Sequence, residues 1–270
     1  NAVSVPIYQT VAYEFESAQH GADLFNLEVE GNIYSRIMNP TVDVLEKRSA
    51  ELEGGIAGLC LSSGSAAVNY AILNIAENGS NIVTVPQLYG GTYTLFKHML
   101  PRQGIEVRFG KDDSVEELAK LIDDKTQAIF CESIGNPAGN IVDIEALADL
   151  AHENGVPLIV DNTVAMPVLV KPIEWGADIV VNSLTKWMGG HGTGIGGIVV
   201  DSGKFDWQDP KFKLYNEPDP SYHGAVWTEA AKPLGPVAYI VKARVTLLRD
   251  LGFAPSPFNS FQFIQGLETL

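Results

Sequence analysis

The feature that most constrains this chain is an alternation. Short runs rich in Val and Ile, at residues 56–61, 82–85, 105–109, 127–131, 157–160, 177–181 and 195–200, alternate with helical periodicity at 66–76, 92–100, 115–122 and 144–154. The runs mostly lack polar residues at every second position, as strands buried on both faces do. Repeated strand–helix–strand order returns the chain in one direction each time, so the strands pair in parallel with helices on both faces. The prediction is an α/β fold with a mostly parallel seven-stranded sheet. Local signals fit: Ser114-Val-Glu-Glu117 reads as a capping box, and Asp143 and Gly155 bracket the 144–154 helix.

The ends break the alternation. Residues 1–39 read as an arm with one short helix near 17–25. Pro40 and Thr41 open a helix that runs to about Leu52. Residues 201–220, rich in Pro, Asp and aromatics, read as a loop excursion, and 238–251 as an amphipathic helix. The charge narrows the class. With 33 acidic against 18 basic residues, net −15, the surface repels phosphate backbones and anionic lipid, which argues against nucleic acid and membrane partners. It does not bar a local pocket for one small anion. No apolar run approaches the ~18 residues of a membrane span, and the first residues lack the basic and apolar segments of a signal peptide. Cys60 and Cys131 sit inside apolar runs and read as buried, inert thiols, which points to a reducing, cytoplasmic setting. The five histidines show no metal-ligand spacing, so no metal is expected; His191 alone lies near a candidate site.

In open α/β sheets, ligands bind beyond the carboxyl ends of the strands. Five predicted ends carry small, polar or aromatic residues: Ser62-Ser63-Gly64-Ser65, then Pro86-Gln-Leu-Tyr89-Gly90-Gly91, Glu132-Ser133-Ile134-Gly135-Asn136-Pro137, Asp161-Asn162-Thr163 and Asn182-Ser183-Leu184-Thr185-Lys186. Each alone has an ordinary reading. Gly64 and Ser65 open a helix, as a plain cap or as a phosphate site made of free N–H groups, to which Ser183 and Thr185 add hydroxyls. Tyr89 is a packed loop aromatic or a stacking platform. Asp161, ending an apolar strand, is a cap or ion-pair member, or the partner of a protonated ring nitrogen. Lys186 is a snorkelling surface lysine, or an amine held at a buried strand end and freed for Schiff-base chemistry. Asn136 serves a Gly-Asn-Pro turn or holds a phenolic oxygen. Taken together they make a pyridoxal phosphate site: a phosphate cup, a ring stack, an acid for the ring nitrogen and a lysine for the aldehyde. Gly192-Thr-Gly194-Ile-Gly196-Gly197 matches a dinucleotide fingerprint in letters only. It precedes a strand instead of joining a strand to a helix, so its glycines are read as allowing close backbone approach beside the lysine.

The string Ser183-Leu184-Thr185-Lys186, with Val160-Asp161-Asn162-Thr163 before it, resembles the Cys/Met-metabolism pyridoxal-phosphate enzymes of fold type I. Tyr34-Ser35-Arg36-Ile-Met-Asn39-Pro40-Thr41, Ser63-Gly64-Ser65-Ala66-Ala67, Leu88-Tyr89-Gly90-Gly91-Thr92 and Glu132-Ser-Ile-Gly-Asn136-Pro137 extend the resemblance in family order across the whole chain. Lys186-Trp187 with Gly189-Gly190-His191-Gly192, the stretch Glu217-Pro-Asp-Pro-Ser-Tyr222-His223-Gly224, and Ile240-Val-Lys-Ala-Arg244 look like its O-acetylhomoserine sulfhydrylase branch.

The resemblance implies the large domain of a fold type I transferase and assigns roles to matching positions. Lys186 would carry the cofactor and shuttle protons, and Asp161 would pair with the ring nitrogen. Tyr89 would stack on the ring and assist proton transfer. Gly64, Ser65, Ser183 and Thr185 would hold the phosphate, with Asn136 near the ring oxygen. Tyr34 and Arg36 would reach the phosphate of a neighbouring subunit, making the protein a homo-oligomer, commonly a dimer of dimers. The implied reaction is γ-replacement, O-acetyl-L-homoserine plus sulfide to L-homocysteine plus acetate, in methionine and cysteine metabolism. The alternatives are a cystathionine γ-synthase, a methionine or cystathionine γ-lyase, or an inactive cofactor-binding fragment. The implied division is an arm over 1–39, a cofactor domain over 40–237, and a linker helix with the start of a further domain over 238–270. Most of that further domain, with its substrate-carboxylate arginine, is expected to lie outside this chain, as are residues ahead of Asn1.

Overall fold

One seven-stranded sheet organises the computed structural model, which describes residues 2–26 and 28–270. Its strands are β1 (Ala57–Leu61), β2 (Asn81–Thr84), β3 (Glu106–Phe109), β4 (Thr126–Glu132), β5 (Leu158–Asp161), β6 (Ile179–Asn182) and β7 (Gly197–Asp201), in the order β1-β7-β6-β5-β4-β2-β3. The pairs β2–β3, β2–β4, β4–β5 and β5–β6 are parallel, and β7 alone runs against its neighbours β1 and β6. Every residue of β4 and β7 is buried, which is why their middle stretches, 128–131 and 198–200, are continuously apolar rather than alternating.

The main helices are α1 (Ala18–Phe25), α2 (Pro40–Glu53), α3 (Gly64–Leu73), α4 (Gly90–Thr94), α5 (Val115–Ala119) and α6 (Ile144–Glu153). α2 packs on β1 and β7, α3 on β6 and β7, and α6 on β4 and β5. Capping explains several boundaries. Ser17, Asn39, Ser63 and Asp143 each accept a first-turn N–H through the side chain, and Gly54 ends α2 in the left-handed region at φ 77°.

Some expected elements differ. The capping box at Ser114 does not form: its hydroxyl is taken by Asp112, and α5 ends at Ala119 in loose turns instead of reaching residue 122. The helix expected over 92–100 starts at Gly90 and passes through a π turn, Leu95–Met99, before Pro101 removes the next donor. The helix over 238–251 likewise widens into a π turn at Arg244–Leu248, where the Thr246 hydroxyl donates back to the Lys242 carbonyl at 2.6 Å. The 201–220 excursion is not an open loop. Its Trp207, Phe212 and Tyr215 are buried, and Trp207 stacks on Tyr239 at 5.2 Å. β7 starts at Gly197 rather than 195, because both backbone groups of Gly196 are taken by the Thr185 hydroxyl.

A last helix, Pro257–Leu267, packs on α2 and lays Phe263 against Gly189, Gly194 and Gly196. A side chain at Gly196 would collide with that ring, and one at Gly197 with the backbone of Ser63. These close approaches account for the glycine run that mimics a dinucleotide fingerprint.

Candidate active site

The carboxyl ends of β1, β2, β4, β5 and β6 open into one cavity of about 640 Å³. All five predicted strand-end segments contribute to its wall. From the β1–α3 turn come Gly64 and Ser65. Ser63 caps α3 by accepting the Ala66 N–H at 3.1 Å, while the Gly64 and Ser65 amides meet no acceptor among the described residues. These are the amides at the positive end of a helix dipole. Gly64 lies against Ser183, so that a Cβ there would sit 2.6 Å from the Ser183 Cβ. The absence of a side chain keeps the two segments in contact around the mouth of the helix.

From the β2 end comes Tyr89, about half exposed, at the start of α4. From β4 come Glu132, Ile134 and Asn136, and from β5 come Asp161, Thr163 and Val164. Asp161 Oδ1 accepts the Thr163 N–H at 3.0 Å, and the Thr163 hydroxyl accepts the Ser183 N–H at 2.8 Å, which ties the ends of β5 and β6 together. Burial pushes the Asp161 carboxyl up from its ordinary value, and the Thr163 hydrogen bonds pull it back only in part. From β6 come Ser183, Thr185 and Lys186.

One expectation about an individual side chain needs correction, and a second residue has a further partner. Lys186 was expected at a buried strand end; it follows β6 in a turn and is an exposed residue lining the cavity, without an ion pair among the described residues. Thr185 was expected to offer its hydroxyl to a phosphate. It lines the cavity, and its hydroxyl also donates to the Gly196 carbonyl at 3.2 Å and accepts the Gly196 N–H at 3.1 Å, which shapes the lysine loop. Tyr34 and Arg36 do not line the cavity; Arg36 lies 5.4 Å from the centre of the Tyr34 ring, out on the arm. His191 is exposed and meets the Thr269 hydroxyl at 3.2 Å.

Three residues given no role in the sequence reading matter here. Thr163 is the bridge just described. Glu132, 4% exposed, takes the Tyr89 N–H on Oε1 at 2.6 Å and the Asn136 N–H on Oε2 at 3.1 Å. Burial, and next the neighbouring Asp161 charge, push its carboxyl up to about 7. Under the floor, Glu53 at the end of α2 accepts from Asn182 at 2.6 Å and from Asn162 at 3.2 Å, and burial pushes it up to about 7. Asn162 follows Asp161, and Asn182 precedes Ser183, so this buried carboxylate braces the two strand ends that carry the site. Thr163 and Glu132 stand inside strand-end segments singled out from the sequence, whereas Glu53 carries no sequence signal.

The geometry agrees with what related proteins carry. A family model described as Cys/Met metabolism PLP-dependent enzyme matches residues 1–270. The chain belongs to this family. Within the family, it is 53% identical to an O-acetyl-L-homoserine sulfhydrylase of Leptospira meyeri over 99% of this chain and 62% of that protein. It is 55% identical to O-acetyl-L-homoserine sulfhydrylase 1 of Thermus thermophilus, over 98% and 63%. A solved Campylobacter jejuni structure named for O-acetylhomoserine (thiol)-lyase, carrying N'-pyridoxyl-lysine-5'-monophosphate, superposes with a TM-score of 0.95 at 42% identity. That match covers 99% of this chain and 66% of the other. The chain thus spans about three fifths of the length of the curated relatives it matches.

The family is dependent on pyridoxal phosphate, and the residues present fit that group. Uncommitted amides at the start of α3 suit a phosphate. A half-buried carboxylate with no cation partner among the described residues, Asp161, suits a protonated ring nitrogen. An amine free of ion pairs lines the same cavity. Among the described residues no cluster of three or more His, Cys, Asp or Glu side chains is arranged to hold a metal, and no helix is long and apolar enough to cross a membrane.

Proposed function

We propose that this chain is the cofactor-binding part of an enzyme that converts O-acetyl-L-homoserine and sulfide to L-homocysteine and acetate. The observation that carries the reading is one cavity holding Lys186, Asp161 and the open end of α3, in a chain 53% identical to an O-acetyl-L-homoserine sulfhydrylase. Pyridoxal phosphate, when bound, supplies an electron sink for negative charge that develops on the substrate carbons. The rest is the work of this chain. The Gly64 and Ser65 amides and the Ser183 hydroxyl bind the phosphate. Asp161 accepts a hydrogen bond from the ring nitrogen and holds the proton there. Tyr89 covers one ring face, and Asn136 meets the ring oxygen. The Lys186 amine would hold the cofactor at its aldehyde carbon and would serve as the base that carries protons at the substrate's α and β carbons. The Cγ–O bond to acetate breaks, and a Cγ–S bond to sulfide takes its place.

The site residues serve other members of the family equally, so substrate choice needs an assay. Product should be measured from O-acetyl-L-homoserine with sulfide, with cysteine, and with no nucleophile. Homocysteine is expected to dominate with sulfide; α-ketobutyrate and ammonia in its presence would give the site to a γ-lyase, and cystathionine from cysteine to a synthase.

The same proposal divides the chain into an arm over 1–39, a cofactor domain over 40–237 and a linker helix onward over 238–270. It assigns Tyr34 and Arg36 to the phosphate of a neighbouring subunit in a cytoplasmic homo-oligomer. The exposure of Val11, Phe15 and Tyr34 on the arm supports that assignment, because apolar side chains left in water ask for a partner surface. Mixing Arg36→Ala with Lys186→Ala chains should restore activity through hybrid sites; mixtures as inactive as each parent would defeat the shared-site model.

A further inference from the structure

One buried carboxylate at the edge of the cavity joins two loops that come from different strands. Glu132 ends β4, and each of its oxygens takes one backbone N–H: Tyr89, following β2, at 2.6 Å, and Asn136, in its own loop, at 3.1 Å. Across the parallel β4–β5 pair, Glu132 is directly in register with Asp161. No basic side chain pairs with Glu132 among the described residues. A second carboxylate beside Asp161 raises the electrostatic free energy of the site, so its two hydrogen bonds must offset burial and a like charge.

The fold of the two loops does not need Glu132. The 133–142 loop closes on itself through Gly135 N–H to the Asn140 carbonyl at 3.0 Å and Gly139 N–H to the Gly135 carbonyl at 2.7 Å. α4 starts from Tyr89 by its own backbone bond, Tyr93 N–H to the Tyr89 carbonyl at 2.9 Å. What Glu132 adds is the position of one loop relative to the other. It fixes the residue proposed to cover the ring and the residue proposed to meet the ring oxygen at their backbones, from below.

We propose that Glu132 is a positioning residue that sets Tyr89 and Asn136 at a common height above Asp161, so that a flat heterocycle fits between them. This rests on the pyridoxal phosphate reading of the cavity. A neutral amide cannot replace the carboxylate. In Glu132→Gln one acceptor oxygen remains, while the NH₂ group faces a second N–H donor, so one loop is released without a change in side-chain size.

The test compares wild type, Glu132→Gln and the remote core variant Leu147→Ala. Leu147 is fully buried in α6 and serves as a control for general destabilisation. Three readouts are taken: the dissociation constant of pyridoxal phosphate from its visible absorption, the circular dichroism of the bound cofactor, and amide exchange at Tyr89 and Asn136 in cofactor-free protein. In Glu132→Gln the dissociation constant should rise about tenfold, the size of one lost charge-assisted hydrogen bond. Cofactor dichroism should weaken, and at least one of the two amides should exchange about tenfold faster. Leu147→Ala should lower the melting temperature while leaving all three unchanged. Glu132→Gln protein that melts early yet binds pyridoxal phosphate within twofold of wild type, with unchanged dichroism, overturns the proposal and leaves Glu132 a structural residue. Wild-type protein that takes up no pyridoxal phosphate overturns the cofactor reading and this inference with it.

Discussion

Glu46 is buried and Asp161 half-buried at the cavity wall; desolvation pushes both carboxyls up from the ordinary range, but they are compensated differently. Glu46, on α2, meets Arg244 at 2.7 Å and accepts the Cys60 N–H at 2.8 Å. Arg244 spends its remaining donors on the carbonyls of Ile37, at 2.8 Å, and Gly58, at 3.3 Å. The charge is answered within the chain, and the result is a clasp joining arm, helix and strand. Asp161 has backbone and hydroxyl partners in Thr163 but no cation among the described residues, and its neighbour in register is another carboxylate. Unpaired buried charge is expensive, so a fold that pairs one such group and leaves the other facing a cavity marks where an outside cation belongs. On the proposed function, that cation is a protonated ring nitrogen.

The comparison can be broken from either side. The largest effect is expected at Asp161. Asp161→Ala should weaken pyridoxal phosphate binding by about 2–5 kcal/mol, the loss on removing one partner of a buried charged pair, and should leave the cofactor-free melting temperature nearly unchanged. Activity retained within about tenfold would remove Asp161 from its assigned role. Glu46→Gln should do the reverse. It strands Arg244 and should destabilise the protein by about 3 kcal/mol, while cofactor affinity stays within twofold. A fall in affinity larger than the fall in stability would mean the clasp and the cavity are one unit.

A smaller effect tests whether paired carboxylates away from the cavity behave as ordinary structural groups. His152 meets Asp178 at 2.9 Å, and that hydrogen bond holds the imidazole above its ordinary value. A raised folded value means the bond stabilises fully below the unfolded value of about 6.5 and is lost as pH rises through the folded one. His152 is substantially exposed, so the effect should stay below about 1 kcal/mol. Denaturant melts of His152→Ala should therefore trail wild type near about pH 6 and converge with it above about pH 8. A gap that widens with pH would contradict the pairing.

Much of this was legible before any coordinates. Buried parallel strands announce themselves because both faces need apolar side chains, as in β4 and β5. Strand ends then locate the cavity because parallel strands deliver their carboxyl ends to one side. Lys186, Asp161, Tyr89 and Gly64 follow directly, since each stands just past such an end. What stayed hidden depends on contacts remote in sequence. Glu132 looks like the polar last residue of a strand; that it holds the Tyr89 amide, 43 positions away, has no local signature. Glu53 stands just past the helix expected to run to about Leu52, though it braces Asn162 and Asn182. Ser114 carries the letters of a capping box, but nearby Asp112 takes its hydroxyl first. The exposure of Lys186 and the commitment of Thr185 to Gly196 are likewise set by how the glycine-lined loop meets Phe263 and β7, which periodicity does not report.

The central claim is that one cavity brings a cofactor aldehyde to Lys186 above an uncompensated Asp161. Reduction of the purified protein with borohydride after incubation with pyridoxal phosphate, followed by peptide mass mapping, tests it most directly. A single pyridoxyl adduct on Lys186, strongly diminished in Asp161→Ala, is the predicted result. No adduct, or one spread over surface lysines and indifferent to Asp161, would contradict it.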